Sequence, residues 1–124
     1  MAFSLNTTPF DERRRWTRLR AYAPIKYRFL KEDRFECSIT CDISEGGVGL
    51  LIDEPLPCGI CLYFQIKLHD RPQPAYGIAR VAWTAKDLYS EKYRAGLEFI
   101  EISSDSRMSI ADFIKNTNPP PSRN

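Results

Sequence analysis

Five of the eight residues from Arg13 to Arg20 are arginines. A guanidinium is planar, permanently charged and bidentate toward phosphate. A run this dense is either a solvated basic arm or an arm that grips an anion. The second reading requires a partner surface further along the chain. One candidate is Asp42-Ile43-Ser44-Glu45-Gly46-Gly47, which places an acceptor carboxylate, a hydroxyl and two glycines in six residues. Taken alone it reads as a capped turn between two strands, a role that Asp, Ser and Gly favour.

The other reactive residues form no comparable set. Cys37 and Cys41 are spaced Cys-x3-Cys, and Cys58 and Cys61 are spaced Cys-x2-Cys. A zinc site is not expected. Residues 37 and 41 lie on one continuous predicted strand, so their Cα atoms are ~13 Å apart, too far for one tetrahedral ion. Cys37 and Cys41 share parity with Phe35, Ile39 and Ile43 and are read as small core residues. No disulfide is expected in a reducing compartment. His69 sits in a polar loop and reads as solvated. No nucleophile–base motif, phosphate-binding glycine loop or metalloprotease helix is present, so no catalytic residue is assigned and no enzyme is expected. Trp16 and Trp83 could stack on a base, and Trp83 could equally fill the core or a barrel mouth. A single-stranded nucleic-acid binder is an alternative, but the aromatics do not align on one predicted strand face.

These residues must be carried by strands. Period-two alternation marks strands at 24–30, 35–43, 48–52, 60–68, 75–85 and 93–102. Short polar links, several with Pro or Gly, join them. Six such strands predict an all-β fold, an antiparallel β-barrel or sandwich in which closure removes exposed edges. A helix is predicted from about 104 to 116, capped by Ser103–Ser106, with an apolar stripe of either Met108, Ala111 and Ile114 or Ile110 and Phe113. Residues 1–10 and 117–124 read as disordered ends of one domain spanning 11–116.

The 124 residues carry a net charge of +2 that conceals an asymmetry. Seven Lys/Arg against two Asp/Glu fall in residues 1–30, and eleven against fourteen in the rest. So local a positive charge suits a small multivalent anion better than duplex DNA. No apolar run long enough to span a bilayer and no signal peptide is seen, so no membrane partner is expected and the protein reads as cytoplasmic.

The two opening stretches together resemble a known family. Arg14-Arg15-Trp16-Thr17-Arg18 fits Arg-x3-Arg, and Asp42 to Gly47 fits Asp-x-Ser-x-x-Gly. In this order, near the first turn and second strand of a six-stranded β protein, they resemble the PilZ domain. Val81-Ala82-Trp83, Tyr93 to Phe99 and the C-terminal helix extend the similarity over residues 11–116. The resemblance implies a six-stranded antiparallel β-barrel with a C-terminal helix that binds cyclic di-GMP, a bacterial second messenger. By that resemblance Arg14 and Arg18 act as the arginine pair, Asp42, Ser44 and Gly47 as the second motif, and Arg13 and Arg15 as support. Gly46 and Gly47 would let a base approach the backbone, and Trp83 would add a stacking surface. No cofactor or metal is implied. The output is expected to pass to an unidentified effector protein. The alternative within the resemblance is an interaction module that binds no nucleotide.

Overall fold

The structure is a computed structural model that describes residues 18–117. Seven strands form one antiparallel sheet: β1 (Leu19–Arg20), β2 (Pro24–Phe29), β3 (Glu36–Ile43), β4 (Gly47–Ile52), β5 (Cys61–Ile66), β6 (Ala75–Lys86) and β7 (Tyr93–Ile102). The order is β1-β3-β2-β5-β6-β7-β4, and β4 also pairs with β3. That last pairing closes β2 to β7 into the expected six-stranded barrel, with β1 as an extra strand on β3.

Alternation fills the barrel. Leu62, Phe64 and Ile66 of β5 are buried, as are Val48, Leu50 and Ile52 of β4 and Ile25 and Tyr27 of β2. Phe64 stacks on Phe99 with centroids 5.0 Å apart. The helix α1 (Ser104–Thr117) covers the barrel beside β6. Ser103 Oγ accepts from Ser106 N at 3.1 Å, the N-cap expected from the sequence. Ser106, itself buried, accepts from Tyr76 N at 3.1 Å and ties the helix to β6. Ile110, Phe113 and Ile114 are the buried face. The helix runs one residue past the expected boundary, to Thr117, just before Asn118-Pro119. The segments 1–10 and 118–124 lie outside the described residues.

Two expectations are corrected. β1 is an addition to the six expected strands, since two residues carry no period. The β3 core face is also different. Cys37 is exposed, Cys41 is half-buried and Ile39 is 41% exposed, whereas Thr40 and Ile43 are fully buried. The cause is a β-bulge. Thr40 pairs with Leu50 and Asp42 with Gly49, leaving Cys41 as the extra residue. One extra residue inverts the facing of everything beyond it. Even-numbered residues therefore face inward before Cys41 and odd-numbered ones after it. The buried Thr40 also has a bonding task. Its Oγ1 accepts from Ala23 N at 2.9 Å and donates to Ala21 O at 2.7 Å. Together with Ala21 N to Cys41 O at 3.1 Å, these bonds pin β1 to β3 and set where the arginine arm leaves the barrel.

Candidate ligand-binding site

The bulge at Cys41 turns Asp42 onto the outer surface, and a second irregularity does the same for Trp83. Val81 pairs with Leu97 and Trp83 with Gly96, leaving Ala82 as the extra residue of β6. Bulges re-aim side chains in this way and concentrate next to functional sites. Both lie at the same level of the barrel. Asp42 pairs with Gly49, Gly49 with Gly96, and Gly96 with Trp83. The inward neighbours Val48, Leu50, Ala95 and Leu97 are buried, so both glycines face outward. Asp42 and Trp83 thus face each other along one row, three strand spacings or about 14 Å apart at Cα, with no side chain between them.

The glycines let both side chains lie down on the sheet. A Cβ at Gly49 would sit 2.9 Å from Asp42 Oδ2 and 3.1 Å from Oδ1. A Cβ at Gly96 would overlap the Trp83 indole, with Cε2 at 2.6 Å and Cδ1 at 2.9 Å. A carboxylate and an indole therefore rest on directly paired residues. Arg20 of β1 continues the row beyond Asp42. Arg18 Nη1 donates to Asp42 Oδ1 at 3.3 Å, with the side chains 45% and 25% exposed. A surface pair of this kind contributes about 0–1 kcal/mol and gives way readily to a better partner.

Arg94 of β7 pairs with Leu51 and Ala85 and points outward beside the row. Its guanidinium is held further above its ordinary range, first by a hydrogen bond to the Cys41 side chain and also by Asp87 and Asp42. The bulge residue thus supports a second cation next to Asp42.

The segment 44–47 builds the turn that holds this geometry. Ser44 N donates to Gly47 O at 2.8 Å. Ser44 Oγ accepts from the amides of Gly46 and Gly47, each at 3.2 Å, and donates to Gly47 O at 3.2 Å. Ser44 is 6% exposed, so its hydroxyl serves the turn. Gly46 O accepts from Phe99 N at 2.9 Å, and a Cβ at Gly47 would strike the Leu97 carbonyl. These two glycines bring β4 against β7. The glycines that clear the outer face are Gly49 and Gly96, which lie outside the Asp-x-Ser-x-x-Gly motif.

A family model described as PilZ domain matches residues 12–116. The chain belongs to the PilZ domain family. No curated protein matches it. Its PilZ fold is similar to the Bacillus subtilis inhibitor of motility MotI/DgrA, with a TM-score of 0.74 and 21% identity. That match covers 86% of this chain and 51% of MotI, so the chain spans about half the length of that relative. It is similar to the PilZ domain of Escherichia coli YcgR with c-di-GMP (TM-score 0.63, 16% identity, 86% and 92% covered). It is also similar to the PilZ domain of CeSA from a cellulose-synthesizing bacterium (TM-score 0.62, 15% identity, 83% and 99% covered).

Of the residues assigned to the site of this PilZ domain from sequence, Arg18, Asp42 and Trp83 reach the outer face of one row. Ser44, Gly46 and Gly47 form the turn beneath it. Arg13, Arg14 and Arg15 lie outside the described residues. Among the described residues, no group of three or more His, Cys, Asp or Glu is placed to hold a metal ion, and no helix is long and apolar enough to cross a membrane. Gly49 and Gly96 had a usable signal, since glycine inside a strand often marks close approach of a ligand or another chain segment. Arg94 had none, because its role comes from a bulge two strands away.

Proposed function

We propose that this PilZ domain binds cyclic di-GMP on the Asp42–Gly49–Gly96–Trp83 row and acts as a receptor that signals to a partner protein, not as an enzyme. The observation that carries this reading is the row itself: an acceptor carboxylate and an indole laid on two paired glycines, with Arg18 at one end. Guanine offers N1–H and N2–H₂ donors that suit Asp42. Trp83 supplies a surface for a base to stack on. Arg18, four residues after Arg14, would exchange its weak pairing with Asp42 for a phosphate or for guanine O6 and N7, which arginine meets with two bonds. Family membership and the likeness to the YcgR domain with c-di-GMP support the same reading.

The mechanism in this reading is neutralisation of the arm by the ligand. The arm bearing Arg13 to Arg15 is self-repelling, and two phosphates neutralise it. β1, pinned through Thr40, fixes the root of the arm beside Asp42. Closure of the arm on bound nucleotide would alter the surface offered to an effector. Titration calorimetry with cyclic di-GMP and cyclic di-AMP tests this. Binding of the first, with the second at least about tenfold weaker, is the expected result, because adenine lacks the donors that Asp42 requires. Equal affinities would remove Asp42 from its role, and no binding of either would leave an interaction module.

A further inference from the structure

Two exposed side chains beside the nucleotide row have no task in the fold. Leu19 and Ala23 are buried, whereas Arg20 is exposed and Tyr22 is 70% exposed. The backbone between them is anchored. Thr40 Oγ1 donates to Ala21 O and accepts from Ala23 N, on either side of Tyr22, and Ala21 N donates to Cys41 O. Arg20 and Tyr22 therefore stand on one outward face, two residues or about 6–7 Å apart at Cα. They belong to a fixed segment of the barrel rather than to the arm.

Their surroundings set them apart from similar residues. Arg18, Arg71 and Arg80 each pair with a carboxylate, and Arg20 forms no ion pair among the described residues. Phe35, Tyr63 and Tyr93 each lie under a cation. Tyr22 meets neither a ring nor a cation among the described residues. Their position is also particular. Arg20 is the direct strand partner of Asp42. The Asp42 carboxylate leans the other way, over Gly49. Gly49, Gly96 and Trp83 thus lie on one side of the carboxylate, and Arg20 with Tyr22 on the other.

The ligand assigned to the row is itself two-sided. Cyclic di-GMP carries two guanines, projecting from opposite sides of one sugar–phosphate ring. Asp42 and Trp83 supply an edge acceptor and a stacking surface for one base. The second base needs a surface of its own. A guanidinium and a phenol ring are both flat and can stack on a purine, and the arginine can also meet guanine O6 and N7. We infer that Arg20 and Tyr22 form the subsite for the second guanine, an inference that rests on the Asp42 row holding the first.

Calorimetric titration of the full chain with cyclic di-GMP tests this. Arg20→Ala and Tyr22→Ala should each weaken binding about tenfold. Tyr22→Phe should restore affinity to within about threefold, because stacking uses the ring and not the hydroxyl. Arg20→Lys should not restore it, because an ammonium cannot stack. Urea unfolding should be unchanged by both alanine variants, since neither side chain is buried. Should one of them fail to fold, the other and Tyr22→Leu still decide. Full affinity in both alanine variants, with Asp42→Ala weakened, would overturn the subsite and leave the row standing. Losses at Arg20 and Tyr22 with full affinity in Asp42→Ala would support the subsite and remove the row. Full rescue by Arg20→Lys, or equal losses in Tyr22→Phe and Tyr22→Ala, would overturn the stacking role. No binding by the unaltered chain would overturn both readings.

Discussion

Two walls of the barrel carry aromatic rings and cations, and they differ in what those groups already touch. On the β2–β5–β6 wall, Phe35 lies 6.1 Å from Tyr63, and Tyr63 lies 6.5 Å from Tyr76. Lys26 Nζ sits 4.9 Å from the Phe35 centroid, and Arg28 Cζ sits 5.2 Å from that of Tyr63. Arg28 Nη1 also donates to Leu30 O and Glu32 O. The rings expected not to align are brought together across strands, but Lys26 and Arg28 lie over Phe35 and Tyr63, and Arg28 is itself engaged. Composition alone would make this wall the nucleic-acid platform. Along the Asp42–Gly49–Gly96–Trp83 row of the β3–β4–β7–β6 wall there is one indole, one carboxylate and two glycines, and among the described residues Arg18 is held only by a long surface ion pair. The wall richer in aromatic residues is largely occupied by its own cations. The wall cleared by glycine is the one proposed to take the ligand.

The sharpest way to break this contrast is to fill the emptied wall. Gly96→Val places a branched side chain where Trp83 lies, and cyclic di-GMP affinity should fall by roughly a hundredfold or more. Calorimetry reads this directly, and wild-type affinity would remove the row from the site. Next, Arg18→Ala and Asp42→Ala should each cost about tenfold in affinity, on the order of 1.4 kcal/mol. Because the two side chains touch, the double variant should lose less than the sum. Retention of full affinity by Asp42→Ala would contradict its role as guanine acceptor.

A smaller effect is expected from Thr40→Val. It leaves the Ala23 amide and the Ala21 carbonyl without their buried partner, costing about 1–3 kcal/mol in urea unfolding. It also loosens the root of the arm, so affinity should drop a few-fold, about 0.5–1 kcal/mol. Smallest of all, Tyr63→Ala on the self-satisfied wall should leave cyclic di-GMP affinity unchanged within about twofold. It should still lower stability by about 1–2 kcal/mol through lost ring and cation contacts. A large affinity loss there would mean that the roles of the two walls are reversed.

Most of the fold is legible in the sequence because β-strands announce themselves by period two. Leu62, Phe64 and Ile66 alternate with Cys61, Tyr63 and Gln65, and the structure buries the first set. The cap at Ser103 is readable on the same local grounds, whereas of the two stripes expected for α1 the structure buries Ile110 and Phe113, together with Ile114, and leaves Met108 exposed. The misplacing of Cys37 and Ile39 in the core comes from the same rule. A bulge adds one residue without leaving a signature in hydrophobicity, and every facing beyond it inverts. β1 escapes periodicity for a related reason, since it exists only through its pairing with β3.

The site divides along the same line. Residue type and motif order single out Arg18, Asp42 and Trp83. Motif order does not single out Gly49 and Gly96, whose signal is that of a glycine inside a strand, and nothing in the sequence marks Arg94. Ser44 and Gly47 belong to one motif, yet the structure engages both in the turn beneath the row.

The sequence by itself determined which segments become strands, where the helix begins, that positive charge gathers in one arm, and that an Asp-x-Ser-x-x-Gly stretch follows it. Those properties are local and are written in periodicity, capping and charge. Only the tertiary structure decided that Asp42 and Trp83 share one row, that Gly49 and Gly96 clear it, and that Lys26 and Arg28 lie over the rings of the richer aromatic wall. Barrel register is a long-range property. It is set by three register shifts and by the pairing of strands distant in the chain, and no local window of residues contains it.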